Sequence, residues 1–481
     1  MSAPLWEFDA FAAAVGGVVL GPGGRPVTGI SIDSRTIAPG EAFFAIRGDR
    51  FDGHAFASAA IANGGSVAVV ARDRVSELNG AADKGTVIAV DDPLAALERL
   101  GRAARARTAA KVVAVTGSVG KTGTKEMLRA ALEPSGRVHA SVASFNNHWG
   151  VPLTLARMPA DSEFAIFEIG MNHPGEIIPL VDMVRPQVVI ITAVEPVHLA
   201  QFESVEAIAE AKAEIFTGVE PGGAAVLNRD NPHFVFLHQR AIENGIERVV
   251  GFGEDPQAEV HLDKVALNGI CSCVSASVFD VPVTYKIGMP GRHLVQNSLA
   301  VLATVHLLHA DLARAALALA NLHAPKGRGR RHTLTLRDGE AVLIDESYNA
   351  NPTSMRAAIA LLGAAPVIGR GRRIAVLGDM LELGPEAEAF HKQLAAPLVE
   401  AGVDQVFCAG PLMHELWKAL PHRCRGAYAE TAGQLETILP GAIAPGDVVM
   451  IKGSFGSRMG PVVEALLQRF GSELVSSEPE G

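Results

Sequence analysis

The stretch Val112-Val113-Ala114-Val115-Thr116-Gly117-Ser118-Val119-Gly120-Lys121-Thr122 decides how this chain is read. Its apolar, mostly β-branched start predicts a buried strand, and the strand stops at a glycine-rich turn. A helix is expected to begin at Lys121. Strand, glycine turn and helix in this order make a phosphate-binding loop. Backbone N–H groups at a helix N-terminus lack internal partners and can grip an anion. Lys121 would bring a positive charge to the β/γ phosphates, and Thr122 would place a hydroxyl on Mg²⁺. The general pattern has a glycine where Val115 stands, so the core here is Thr-Gly-x-x-Gly-Lys-Thr. A guanine-nucleotide switch needs Asn-Lys-x-Asp, and Asn228-Arg229-Asp230 does not supply it.

Working outward, strand and helix patterns alternate after this loop: 112–116 then 121–132, 164–169 then 175–184, 188–194 then 204–217. Such alternation implies a parallel sheet covered on both faces. Glu168 ends the apolar run 165–169, where a lone carboxylate is costly unless paired or near a metal. It is the expected magnesium-holding acid, with capping of a nearby helix as the alternative. Lys212 shares a helix face with Ile208, Ile215 and Phe216. It either snorkels or is engaged in a site. Burial would favour its neutral amine, which can react with carbon dioxide to give a carbamate, an oxygen ligand for metal. His198, taken alone, reads as structural. His293 and Asn297 lie one turn apart at the start of a long Ala/Leu helix and could hydrogen-bond a base edge. A β-rich stretch covers 247–287.

The chain has 481 residues, 48% of them apolar and 20% charged, which predicts about three domains with large cores. The expected division is 1–108, 109–323 and 324–481. In the first unit, strands are expected at 29–35, 42–46 and 67–70 and a helix at 55–62. Two polar loops sit at strand ends and carry Arg35, Asp52 and His54, where open sheets bind ligands. The glycine/arginine segment 325–331 reads as a linker whose basic residues either close over a phosphate or are solvated. In the third unit, strands ending at Asp345-Glu346-Ser347-Tyr348-Asn349, at Gly378-Asp379-Met380 and at Lys452-Gly453-Ser454 give a ligand face of its own.

A net charge of −10 argues against broad nucleic-acid binding. The four cysteines, Cys271, Cys273, Cys408 and Cys424, form no disulfide framework or Cys-x-x-Cys pair and read as small buried hydrophobes. The N-terminus carries acids where a secretory signal needs positive charge, and no uncharged apolar run approaches the ~20 residues of a membrane span. The expectation is a cytoplasmic protein with no membrane span.

Several motifs together resemble one family. Val-Thr-Gly-Ser-Val-Gly-Lys-Thr (115–122), Ser-Phe-Asn-Asn-His-Trp-Gly-Val-Pro-Leu-Thr-Leu (144–155), Glu-Ile-Gly-Met-Asn (168–172) and Lys-Ala-Glu-Ile-Phe (212–216) resemble the ATPase domain of the Mur ligases. Asp-Glu-Ser-Tyr-Asn-Ala-Asn-Pro (345–352), Leu-Gly-Asp-Met-Leu-Glu-Leu-Gly (377–384) and Lys-Gly-Ser (452–454) resemble its MurF branch. Asp-Ser-Arg (33–35) and Arg-Gly-Asp-Arg-Phe-Asp-Gly-His (47–54) are similar to that branch's UDP-binding domain.

The resemblance implies an α/β fold of three domains: a small UDP-binding domain, a central P-loop parallel-sheet ATPase and a C-terminal Rossmann-like domain. It implies an ATP-dependent ligase joining D-alanyl-D-alanine to UDP-N-acetylmuramoyl-tripeptide in peptidoglycan synthesis, acting as a monomer. Residues 116–122 (Thr116, Gly117, Ser118, Val119, Gly120, Lys121, Thr122) would hold ATP. Thr122 and Glu168 would hold one Mg²⁺, and His198 with carbamylated Lys212 the second. Asn297 would contact adenine, and Arg330, with Arg328 as rival, would reach phosphate. Asp345 or Glu346, with Tyr348, Asn349 and Lys452, would face nucleotide and substrate. Asn146 and Asn147 would face the muramoyl peptide or the metal, and Ser34, Arg35, Asp52 and His54 the UDP moiety.

Two features depart from or narrow the resemblance. Arg458 follows the Lys-Gly-Ser strand end, and Gly460 stands after Met459 where the family often has an acid. The sister ligase that adds a diamino acid usually carries Asp-Asn-Pro-Arg in its third domain. Here Asp230-Asn231-Pro232-His233 lies in the second unit and ends in His. The alternative within the superfamily is another amide ligase, such as one of the folylpolyglutamate type.

Overall fold

The computed structural model describes residues 4–48, 51–78, 85–142, 144–196, 201–471 and 473–474. The chain builds three sheets, one per expected unit.

The first holds β1 (Val18–Leu20), β2 (Gly29–Ser31), β3 (Glu41–Phe44), β4 (Val67–Ala71) and β5 (Thr86–Val90), in the order β1-β5-β4-β3-β2. β1 runs antiparallel to β5, and the other pairs are parallel. The strand expected over 29–35 stops at Ser31. There the Ser31 hydroxyl accepts from the Asp33 amide (3.2 Å) and turns the chain. A helix Pro93–Ala106 follows, with Asp92 accepting from Leu94 N (2.8 Å) and proline at its first position. Ala96, Leu97, Leu100 and Ala104, at helical spacing, bury one face of that helix in the first core.

The central sheet holds β6 (Lys111–Thr116), β7 (Val138–Ala140), β8 (Phe164–Glu168), β9 (Val188–Ile191), β10 (Ala224–Asn228), β11 (Arg248–Gly253), β12 (Val260–Leu267), β13 (Ser272–Val278) and β14 (Val281–Ile287). Its order is β14-β13-β12-β11-β10-β9-β6-β8-β7. From β7 to β12 all neighbours are parallel, and β12–β13 and β13–β14 are antiparallel. The β-rich stretch therefore extends the same sheet rather than forming another. Alternate residues of β6 enter different cores. Val113 and Val115 face the helix Arg292–Leu307, whereas Val112 and Ala114 face the helices Ile177–Val184 and Val205–Ala213. Burial on both faces is why this strand reads as an unbroken apolar run.

The third sheet holds β15 (Arg330–Leu336), β16 (Gly339–Glu346), β17 (Arg373–Gly378), β18 (Gln405–Ala409), β19 (Arg425–Ala429), β20 (Val448–Lys452) and β21 (Glu473–Leu474), in the order β19-β18-β17-β20-β16-β15-β21. The five strands from β19 to β16 are parallel, as in open α/β sheets. Among the described residues no helix is long and apolar enough to cross a membrane.

The second unit contributes to one of the first unit's two hydrophobic clusters. Leu153 and Ala156, from the helix Gly150–Ala156 of the second unit, belong to the first unit's hydrophobic cluster. Trp6 Nε1 donates to Ala156 O (3.1 Å), and the Arg107 guanidinium lies 3.3 Å from the Trp6 ring centroid. Arg157 Nε donates to Ile30 O (2.7 Å) at the root of the loop after β2. Leu153→Ala should therefore cost about 2–5 kcal/mol, the usual penalty for emptying a packed leucine site. Urea unfolding followed by a probe in residues 1–108 checks this, because a separately folded first unit would not respond.

Candidate active site

The site starts where β6 ends. At the close of the strand the chain must turn sharply with no room for side chains. Gly117 has φ +145°, and a Cβ there would lie 2.0 Å from Thr192 Oγ1. Gly120 has φ +86°, and a Cβ there would meet the Asn297 amide at 2.9 Å. The segment after β9 braces the loop. Thr192 Oγ1 donates to Val119 O (2.5 Å), and Ser118 N donates to Ala193 O (2.8 Å). Ser118 Oγ accepts from Glu195 N (2.9 Å) and donates to Glu195 O (3.0 Å). The helix Lys121–Leu132 then begins with no side-chain cap. Its first amides remain available to an anion. Lys121 Nζ folds back across the turn and donates to Gly117 O (2.6 Å). Burial pushes its ammonium below the ordinary lysine value, with Glu168 opposing that shift and Arg328 adding to it. A turn with glycine at both of its tight positions, an uncapped helix start and a lysine laid over both fit a polyphosphate.

Beside the turn, the parallel register sets Glu168, the last residue of β8, opposite Val115. Glu168 is 1% exposed. Its Oε2 accepts from Thr122 Oγ1 (2.8 Å), and its Oε1 accepts from Asn146 Nδ2 (2.7 Å). Ser144 Oγ lies 3.2 Å from Thr122 Oγ1 and accepts from Arg328 Nη2, also at 3.2 Å. A carboxylate, two hydroxyls and an amide oxygen are hard donors of the kind Mg²⁺ selects. Among the described residues there is no group of three His, Cys, Asp or Glu that could hold a metal ion.

Lys212 is 3% exposed on the helix Val205–Ala213, with Ile208, Ile215 and Phe216 buried around it. Its amine does not snorkel to solvent. Burial, with Lys121 nearby, lowers its pKa well below the ordinary lysine value. His198 lies outside the described residues.

Other sequence candidates are already engaged in the fold. Asn147 Oδ1 accepts from Gly150 N (2.9 Å) and starts the helix that carries Leu153, whereas Asn146 reaches Glu168. Asn297 packs against Gly120. Asn349 Oδ1 accepts from Ala350 N (2.9 Å). Lys452 is buried between Glu346 Oε2 (3.2 Å) and Asn349 O (3.0 Å). Asp345 is 1% exposed, with both oxygens accepting from the chain itself. Of the two linker arginines, Arg328 points to the Thr122 side over the Tyr348 ring, 4.1 Å from its centroid. Arg330 Nε instead donates to Ala324 O (3.1 Å).

In the first unit, Arg35 pairs with Asp33 through Nε (2.9 Å) and Nη2 (2.6 Å), next to the half-buried Ser34. Those hydrogen bonds hold the Asp33 carboxyl down at about 2. Asp52 accepts from His54 Nδ1 (2.6 Å) and from Arg74 Nη1 (3.0 Å). The Ala71 amide donates to His54 Nε2 (3.0 Å), which places the ring proton on Nδ1. His54 and Asp52 thus tie their loop to the end of β4.

Sequence reasoning did not assign a role to Ser144, which now joins Thr122 to the linker. Its only signal was its place at the head of the 144–155 motif. It also missed Glu195, whose Oε2 accepts from Thr353 Oγ1 (3.1 Å) across the crevice between the second and third units.

Models of three domains match the chain in order. They are described as Mur ligase family, catalytic domain (residues 26–105), Mur ligase middle domain (115–305) and Mur ligase, glutamate ligase domain (329–455). The UDP-N-acetylmuramoyl-tripeptide--D-alanyl-D-alanine ligase of Escherichia coli is 35% identical over 443 residues, covering 91% of this chain and 93% of that one. Among solved structures, MurF from Acinetobacter baumannii superposes with a TM-score of 0.82 at 28% identity, covering 96% of this chain and 99% of that one. MurF from Thermotoga maritima in complex with ADP superposes with a TM-score of 0.74 at 25% identity, covering 92% and 97%. Three domain models in register, together with a relative matched along nearly its whole length, place this chain in the Mur ligase family.

Proposed function

We propose that this chain is the ATP-dependent ligase that joins D-alanyl-D-alanine to UDP-N-acetylmuramoyl-tripeptide in peptidoglycan synthesis. What carries the reading is similarity to ligases of that name across all three units, at 31–35% identity for the E. coli, Bacillus subtilis and Rickettsia prowazekii proteins. The site supports the chemistry. In this reading the enzyme works as a cytoplasmic monomer, and its product serves cell shape and division.

The tripeptide's terminal carboxylate attacks the γ-phosphate of ATP, giving an acyl phosphate and ADP. The amine of the dipeptide attacks the acyl carbon, phosphate leaves, and the amine loses a proton. The difficulty lies in bringing two anions together. At 4 Å, two unit charges repel by about 4 kcal/mol at an effective dielectric near 20. Lys121 and the uncapped helix start lower that repulsion from the loop side, and Arg328 lowers it from the linker side. Thr122 and Glu168 would hold one Mg²⁺, His198 and a carbamylated Lys212 a second, and the metals when bound would neutralise phosphate charge. Asn146 orients Glu168. Contact between the second and third units, as at Glu195 and Thr353, keeps water from the acyl phosphate.

With ATP and UDP-N-acetylmuramoyl-tripeptide, a mass spectrum should show one dipeptide-extended product per ADP released. ADP release driven by a single amino acid, and not by D-alanyl-D-alanine, would favour the folylpolyglutamate-type alternative. Lys121→Ala should lower turnover by about 10²-fold or more, as for loss of a transition-state charge contact, with binding of the UDP substrate retained in calorimetry.

Lys212 permits a paired test. Lys212→Ala should be nearly inactive, and added short carboxylates should restore part of the activity. Full activity in the unrescued variant would exclude the carbamate. In carbon dioxide-free buffer Lys212→Met should be more stable than the parent, because the folded state holds the lysine's proton poorly. The folded pKa lies below the unfolded one, so between them the unfolded chain binds the extra proton and the parent's stability rises with pH. The variant's advantage in denaturation midpoint should therefore shrink as pH climbs toward the ordinary lysine value.

A further inference from the structure

The carboxylate of Asp345 is buried and hydrogen-bonded to the chain itself. Its Oδ2 accepts from Gly327 N (2.8 Å), and its Oδ1 accepts from Ser347 N (3.1 Å) and Ser347 Oγ (2.6 Å). Its carbonyl oxygen accepts from Gly329 N (2.8 Å). One residue therefore holds the linker on both sides of Arg328. The linker backbone needs that hold. Gly327 and Gly329 adopt φ +75° and +94°, conformations open chiefly to glycine. A Cβ on Gly327 would sit 2.8 Å from Tyr348 Cβ. Tyr348 N donates to Gly327 O (3.1 Å), and Arg328 N donates to Pro325 O (3.1 Å). With its backbone pinned at these points, Arg328 crosses the Tyr348 ring and ends on Ser144, beside Thr122 and Glu168.

We propose that Asp345 is a positioning residue: its carboxylate holds Gly327 N, beside the backbone hold of its carbonyl on Gly329 N, so that the Arg328 guanidinium is delivered to Ser144 at the nucleotide loop. The proposal rests on the nucleotide site described above, but it predicts linker behaviour that does not need turnover. It also explains why a carboxylate is used. Asparagine has one acceptor oxygen and one donor amide, so in either orientation a backbone N–H, of Gly327 or of Ser347, faces another donor. A buried acid is otherwise costly, and here backbone and hydroxyl donors satisfy it.

The test uses the full chain in Asp345→Asn, Arg328→Ala and the double variant. Without ligands, hydrogen exchange should show the Gly327 amide losing protection in Asp345→Asn. ADP, titrated calorimetrically, should bind Asp345→Asn about as it binds the parent. Turnover should fall about tenfold or more, the loss expected for one charge-assisted contact. In the Arg328→Ala background the same substitution should cost almost nothing more, since its effect passes through the arginine. Ser347→Ala, which removes one donor and leaves the acid, should show the same pattern more weakly and serves if Asp345→Asn does not fold.

Equal losses in the presence and absence of Arg328, or weakened ADP binding with Gly327 protection unchanged, would overturn the proposal and make Asp345 a direct ligand. If the parent enzyme showed no ligase turnover, the functional reading would fail. The exchange result at Gly327, read with ADP binding, would still decide the role of Asp345.

Discussion

The hydrogen bond between Thr122 and Glu168 is the contact on which the rest of this structure converges. It joins the first turn of the helix Lys121–Leu132 to the end of the neighbouring strand β8. A carboxylate at 1% exposure is expensive in an apolar sheet unless its oxygens are satisfied. Thr122 and Asn146 satisfy one oxygen each. The Thr122 hydroxyl and the Asn146 amide oxygen are also of the kind Mg²⁺ selects, so the residues that make the buried acid tolerable suit it to a metal. The strand order adds to this. β6 lies between β8 and β9, and the loop therefore opens at the place where helices leave the sheet in opposite directions.

Much of this was legible beforehand because local chemistry and tertiary position coincide. Val112 to Val115 are apolar on both faces because cores lie on both sides, and the sequence shows that as an unbroken run. Gly117 and Gly120 are glycines because the turn leaves no space for a Cβ. Lys212 could be placed on an apolar helix face by counting residues. Whether its amine escaped to water depended on what packs above it, which spacing alone does not contain.

The illegible parts are contacts between residues far apart in sequence. Nothing in Arg328-Gly329-Arg330 distinguishes its two arginines; the difference comes from which carbonyl and which hydroxyl each can reach. Asp52, His54 and Asn147 carry polar groups of the kind that bind ligands, yet each is occupied by its own loop or helix start. A motif supplies residue type, and hydrogen-bond saturation decides whether that residue has capacity left for a ligand. The continuation of the parallel sheet into the β12–β14 meander was equally hidden, because register with β11 is set across the sheet and not along the chain.

The helix Gly150–Ala156 stands in two places at once. Its far end fills the core of the first unit, while the loop leading into it carries Ser144 and Asn146 at the phosphate turn. The contact between the first two units is therefore made by a helix that lies well past the boundary suggested near residue 108. A chimera that grafted another ligase's first unit at that point would inherit a mismatched socket for Leu153, Ala156 and Trp6. An exchange of the first unit would have to carry the helix along, and with it the loop that brings Ser144 and Asn146 to Thr122 and Glu168.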